Sequence, residues 1–179
     1  MNSRSWAIAV LVLHLASATG ISQGKRPTTS EQMQFSAEDA GVKRPVAIPG
    51  DVLKILSQDE MVRDALEDEK VPSGKVPSSW FSASSIHLSD SGKAGFVVVG
   101  EGPLLGANIV TFWVFCATPT GQELVLMNHA HDLIVKKTRW KGHREIEMSA
   151  ETAVEFTSVL FRWDGKKYSE YKEKSEEIK

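Results

Sequence analysis

A single cysteine, Cys116, stands among the 179 residues, so no intramolecular disulfide is possible and the fold must stand on packing alone. Its setting, the apolar run from Ile109 to Cys116 with no basic neighbour, suits a core thiol better than a nucleophile or an intermolecular bridge. Charge of one sign is also lacking. A formal net charge of −2 argues against a dedicated nucleic-acid binder, for which a basic domain is expected. The longest early apolar stretch, Trp6 to Leu15, falls far short of the roughly 20 residues that span a bilayer as a helix. No nucleophile elbow, phosphate loop or dinucleotide fingerprint occurs, and no cofactor is expected.

What is present begins with an address. Arg4 and the amino terminus give a positive start, the run Trp6 to Leu15 is apolar except for His14, and Ala16-Ser17-Ala18 supplies small residues. Together these read as a cleavable signal peptide over residues 1–18, cut before Thr19. No cysteine follows the small residues, so neither a lipid anchor nor a transmembrane anchor is expected after cleavage, and the product should be secreted or periplasmic. Loss of the signal removes only one formal charge, that of Arg4. The remaining length fits one domain, and 41% apolar against 25% charged residues is the composition of a globular chain.

Composition then divides the chain. Residues 19–47 are polar and rich in small residues, with Pro27 and Pro45, and are read as a flexible leader. Residues 48–171 are read as one helix-plus-β domain, and the charged tail 172–179 is expected to fray. The domain opens on a helical stretch: Val52, Ile55, Leu56, Val62 and Leu66 fall near a 3.6-residue period, with Asp51 as N-cap. Ser57-Gln-Asp-Glu60 has the form of a capping box, so one kinked helix and two short ones both remain open. From Trp80 onward the pattern is one of short strands. Asp90-Ser-Gly92 separates Ile86 and Leu88 from Phe96 to Val99, Asp164-Gly165 separates Val159, Phe161 and Trp163 from Tyr168 and Tyr171, and Asn128 to Asp132 reads as a polar loop. The run Ile109 to Cys116 is apolar at both parities, so both its faces should be covered. The expected class is α+β: a short amino-terminal helical segment followed by a mostly antiparallel β sheet or sandwich.

Ile86-His-Leu-Ser-Asp-Ser-Gly92 with Phe96 to Val99, and Leu160-Phe-Arg-Trp-Asp-Gly-Lys-Lys-Tyr168, carry a resemblance to uncharacterised exported bacterial proteins with β-strand modules of the FG-GAP and VCBS type. It covers roughly residues 80–171. The resemblance implies an extracytoplasmic β module engaged in recognition, with no defined chemistry. The calcium-binding members carry several aspartates in the turn, whereas here only Asp90 remains, too few oxygens for a hard cation.

Two sets of residues are candidates for a site. His129 and His131 stand one residue apart, with Asp132 beside them. On an extended chain two such imidazoles project to one side, and with His87 or His143 they could hold zinc, Asp132 acting as base in a metal-dependent hydrolase. The segment Lys136 to Arg144 is basic around a tryptophan: Lys137, Arg139, Lys141 and Arg144 surround Trp140, the one aromatic residue of the set expected to be exposed. That mixture suits an anionic envelope polymer or lipid headgroup, although a hairpin turning at Gly142 with its lysines on the solvated face is the preferred reading. The expected function is therefore non-enzymatic: an exported interaction module for an envelope protein or anionic polymer, with the hydrolase, or an inhibitor of an envelope enzyme, as alternatives.

Overall fold

The computed structural model describes residues 31–38, 41–72 and 75–178, so the signal peptide read at residues 1–18 lies outside the described residues. Within them the chain is mostly antiparallel β with two short helices. No helix among the described residues is long and apolar enough to cross a membrane.

The helical stretch divides into α1 (Gly50–Leu56) and α2 (Glu60–Asp68). Neither expected cap holds its place. Pro49 takes the N-cap position of α1, and Asp51 lies in the first turn, accepting from the amides of Val52 (3.0 Å) and Gln122 (3.2 Å). Asp59 rather than Ser57 caps α2, accepting from the Met61 amide at 3.1 Å, while the Ser57 hydroxyl donates back to the Lys54 carbonyl. The chain breaks between the helices because the Asp59 carboxylate satisfies an orphan amide that a continuous helix would have bonded to a carbonyl. Val52, Leu56, Val62, Ala65 and Leu66, at helical spacing, turn into one apolar cluster.

That cluster lies against a four-stranded sheet of β2 (Phe81–Ile86), β3 (Gly95–Gly100), β4 (Val110–Thr118) and β5 (Gly121–Ala130), in that order. A five-stranded sheet packs on its other side: β1 (Gln34–Ser36), β6 (Asp132–Trp140), β7 (His143–Glu151), β8 (Glu155–Trp163) and β9 (Tyr168–Glu177), ordered β1-β6-β7-β8-β9. Strand β4 explains the doubly apolar run. Phe112, Val114 and Cys116 face the core between the sheets, and the alternate Trp113 and Phe115 face the helices. A bulge in β5 opposite Val114 and Phe115 lets both Val125 and Leu126 join the inter-sheet core. The backbone of Phe115 passes so close to Gly95 that a Cβ there would stand 2.0 Å from its carbonyl oxygen; only glycine fits.

Three expectations are corrected. Residues 128–132 do not form a loop: Asn128 to Ala130 complete β5, Asp132 begins β6, and His131 alone makes the corner between sheets, its N–H donating to the Ser149 carbonyl at 2.7 Å. Polar side chains are at home there because backbone bonds hold the corner. The described part of the leader is not free chain. Gln34 to Ser36 pair with Asp132 to Ile134, and Phe35, 2% exposed, and Val42 enter the inter-sheet core. A single apolar residue in a three-residue strand leaves no period to read. The tail, too, is ordered into β9 through Glu177 by ladder bonds to β8, which need no apolar side chains.

The basic segment does form the tight hairpin that Gly142 allowed. Lys141 and Gly142, with φ of 48° and 75°, are the two loop residues between β6 and β7, and left-handed conformations at both give the primed turn that matches strand twist. This tip also joins the sheets: the Asp90 N–H donates to the Gly142 carbonyl and the Arg144 N–H to the Leu88 carbonyl (3.0 and 2.8 Å).

Candidate functional site

The candidate metal residues do not converge. His129 is exposed and its Nδ1 shares a 2.8 Å hydrogen bond with the Thr111 hydroxyl. His131 is half-buried, with Nδ1 3.0 Å from Asp132 and Nε2 3.6 Å from Glu38. The suggested third ligands are engaged elsewhere: His87 with Glu31 at 2.5 Å, and His143 stacked on Trp163 with ring centroids 4.1 Å apart. Among the described residues no group of three or more histidine, cysteine, aspartate or glutamate side chains is placed to hold a metal ion. His131 does open on a cleft of about 530 Å³ whose walls include Glu38, Glu151, Leu105 and Ile109. There its hydrogen bond to Asp132, then the charges of Asp132, Glu38 and Glu151, raise its pKa against the opposing effect of burial.

The basic segment is dispersed by its own hairpin. Arg139 pairs with Asp90 at 2.8 Å, so the turn aspartate serves as its counter-ion. Lys141 donates to the Asp164 carbonyl, and Arg144 reaches Glu31 at 3.7 Å across the β1 strap. Lys137 is exposed and makes no ion pair among the described residues. Of the five proposed binding residues only Trp140 enters a larger constellation.

That constellation occupies the outer face of the five-stranded sheet, opposite the inter-sheet core. The Arg162 guanidinium lies 4.7 Å from the Trp140 ring centroid and 3.6 Å from that of Tyr171, which orders both rings through cation–π attraction. Beneath it Glu145, 7% exposed, takes the Arg162 Nε–H at 2.5 Å. The Thr138 hydroxyl, then Arg162, hold the Glu145 carboxyl below the usual carboxylate range, although burial acts the other way. Both rings stay open to solvent, Trp140 at 44% and Tyr171 at 59% exposure.

Strand geometry makes the arrangement possible. Ile146, Met148 and Phe161 point into the core, so Glu145, Glu147, Ser158, Leu160 and Arg162 point outward. A bulge in β9 places one extra residue, Tyr171, opposite the step from Leu160 to Phe161. Tyr168 can therefore be buried, its hydroxyl donating to the Arg144 carbonyl at 2.7 Å, while Tyr171 lies out against Arg162. The sequence reading paired these tyrosines in one strand and did not single out Arg162 or Glu145. The alternation of Glu145 and Glu147 with Ile146 and Met148 carried the signal for an outward glutamate. Nothing in the sequence announced the bulge.

A shallow depression of about 260 Å³ continues this face, lined by Lys136, Glu147, Ser158, Leu160, Lys172 and Lys174. Glu147 accepts from the Lys136 ammonium at 2.7 Å and the Ser158 hydroxyl at 3.1 Å, which, with the more distant charge of Lys174, lowers its pKa. Compared with protein-family models, curated proteins and solved structures, the chain matches none.

Proposed function

We infer that the chain is an exported, non-enzymatic binding module that works in the periplasm or extracellular space and presents the outer face of its five-stranded sheet to a partner. The observation that carries this reading is the Trp140–Arg162–Tyr171 stack, two large rings ordered by a buried glutamate yet left in solvent. Ordering exposed aromatic side chains costs rotamer entropy that a surface of no function need not spend, and rings held beforehand lose less freedom when a partner arrives. The signal peptide read at residues 1–18, and the resemblance to exported β modules, supply the address.

Two measurements test it. Amino-terminal sequencing of the exported product should begin at Thr19. Chain beginning at Thr19, immobilised and exposed to an envelope extract, should retain a component that a Trp140→Ala/Tyr171→Ala variant of equal thermal stability releases. Equal retention by both would remove the outer face from the reading. The hydrolase alternative receives no comparable support, since His129 and His131 take different partners.

A further inference from the structure

We propose that the ligand of this face is an acidic polysaccharide, its sugar rings lying on Trp140 and Tyr171 and its carboxylates or sulfates on Lys172 and Lys174; the inference rests on the outer face being the binding surface. Charge pairing carries it. The outward carboxylates of the depression are already served: Glu145 holds Arg162 at 2.5 Å and Glu147 holds Lys136 at 2.7 Å. Lys172 and Lys174, two residues apart on β9 and opposite Leu160 and Ser158, make neither an ion pair nor a hydrogen bond among the described residues. The depression, taken with Arg162, therefore has two cations in excess beside the Ser158 hydroxyl and Leu160, while the outward Glu151 and Glu176 lie beyond it, on either side of Phe156. Cations on one strand at alternate positions point the same way, so the spare charges form a short row rather than a point.

The aromatic half of the face selects the class of polyanion. An exposed aromatic ring offers an apolar plate to the C–H face of a sugar, and the Arg162 cation set against both rings keeps them fixed. A phospholipid surface would need several apolar side chains projecting into the acyl boundary, whereas Leu160 lines a depression and the exposed Phe156 stands between Glu151 and Glu176. Free phosphate would use the lysines but leave the rings without a role.

The probe is alginate, a polyuronate, in native affinity gels, with dextran as the neutral polysaccharide and phosphatidylglycerol vesicles in a sedimentation arm. The expected result is retardation by alginate, weakened at least tenfold by Lys172→Glu/Lys174→Glu and by added salt, with no retardation by dextran and no sedimentation with vesicles. All four side chains are outward-facing and Trp140, Tyr171, Lys172 and Lys174 are exposed, so the variants should melt with wild type. Retardation lost in Trp140→Ala/Tyr171→Ala but unchanged in the lysine pair would overturn the acidic ligand and leave the outer face as a binding surface. Sedimentation with vesicles, without retardation by alginate, would overturn the polysaccharide. Alginate binding indifferent to all four substitutions would sink both this proposal and the reading on which it rests.

Discussion

The two sheets make opposite use of their faces. The four-stranded sheet is covered twice, by the helices on one side and its partner sheet on the other, and Trp113, at the centre of β4, is wholly buried with its Nε1–H donating to the cap residue Asp59 at 3.0 Å. Among the described residues the five-stranded sheet is covered once. Its outer face carries glutamates, lysines, Arg162 and two open aromatic rings. Where both faces are sealed, packing dictates every side chain and substitution is felt as lost stability. Where one face is bare, side chains are released from that duty, and an ordered cluster there calls for another explanation.

Substitutions that cross this divide should separate the two roles. The largest effect is expected for Trp113→Ala, which empties the centre of the doubly covered sheet and leaves Asp59 without its indole partner: about 3–5 kcal/mol of stability, read by chemical denaturation. Phe35→Ala should cost roughly 3 kcal/mol, the lower part of the range for such truncations because a three-residue edge strand can relax. A loss near zero would show that the β1 strap does not contribute to the core. On the bare face, Glu145→Gln should cost only about 1–2 kcal/mol, as expected for a lost charge-assisted hydrogen bond. Its clearer signature should be a blue- or red-shifted, more mobile Trp140 emission, since Arg162 is no longer held; unchanged fluorescence anisotropy would count against glutamate as the organiser.

The smallest effect concerns pH. The folded-state pKa of His131 is raised, by the hydrogen bond to Asp132 first and by the neighbouring carboxylates after it. Its protonated form is therefore favoured by folding: the contribution is fully present below the ordinary imidazole pKa and is lost as pH rises through the higher folded value. The melting temperature should decline slightly from pH 6 to 8, and His131→Gln should flatten that slope. Should the slope persist in the variant, the corner histidine is not its source.

How far the sequence disclosed this depended on which face a residue serves. The doubly apolar run into Cys116 announced a strand covered on both sides, and burial duly pushes that thiol up to about 11, with Glu123 adding to the effect. Asp164-Gly165 announced its hairpin, where the carboxylate of Asp164 accepts from the amides of Lys166 and Lys167. The bare face was harder, because its residues are brought together by register. Trp140 was legible as an exposed ring among charges, but its neighbour Arg162 is supplied by β8 and Tyr171 by a bulge in β9, and neither the strand order nor the bulge leaves a local mark. The histidine pair was legible only as neighbours on an extended chain, and the corner that His131 makes between the two sheets, which gives the two rings different partners, leaves no local mark.

The strap has a bearing on the order in which the molecule assembles. Phe35 pairs with Leu133, so the partners are separated by about a hundred residues of chain, and closing so wide a loop costs more entropy than closing any of the hairpins from β6 to β9. Strand β1 is made before every other described element, yet it has no seat until the chain through Ile134 exists. Among the described elements, then, the strand made first is seated on one made much later.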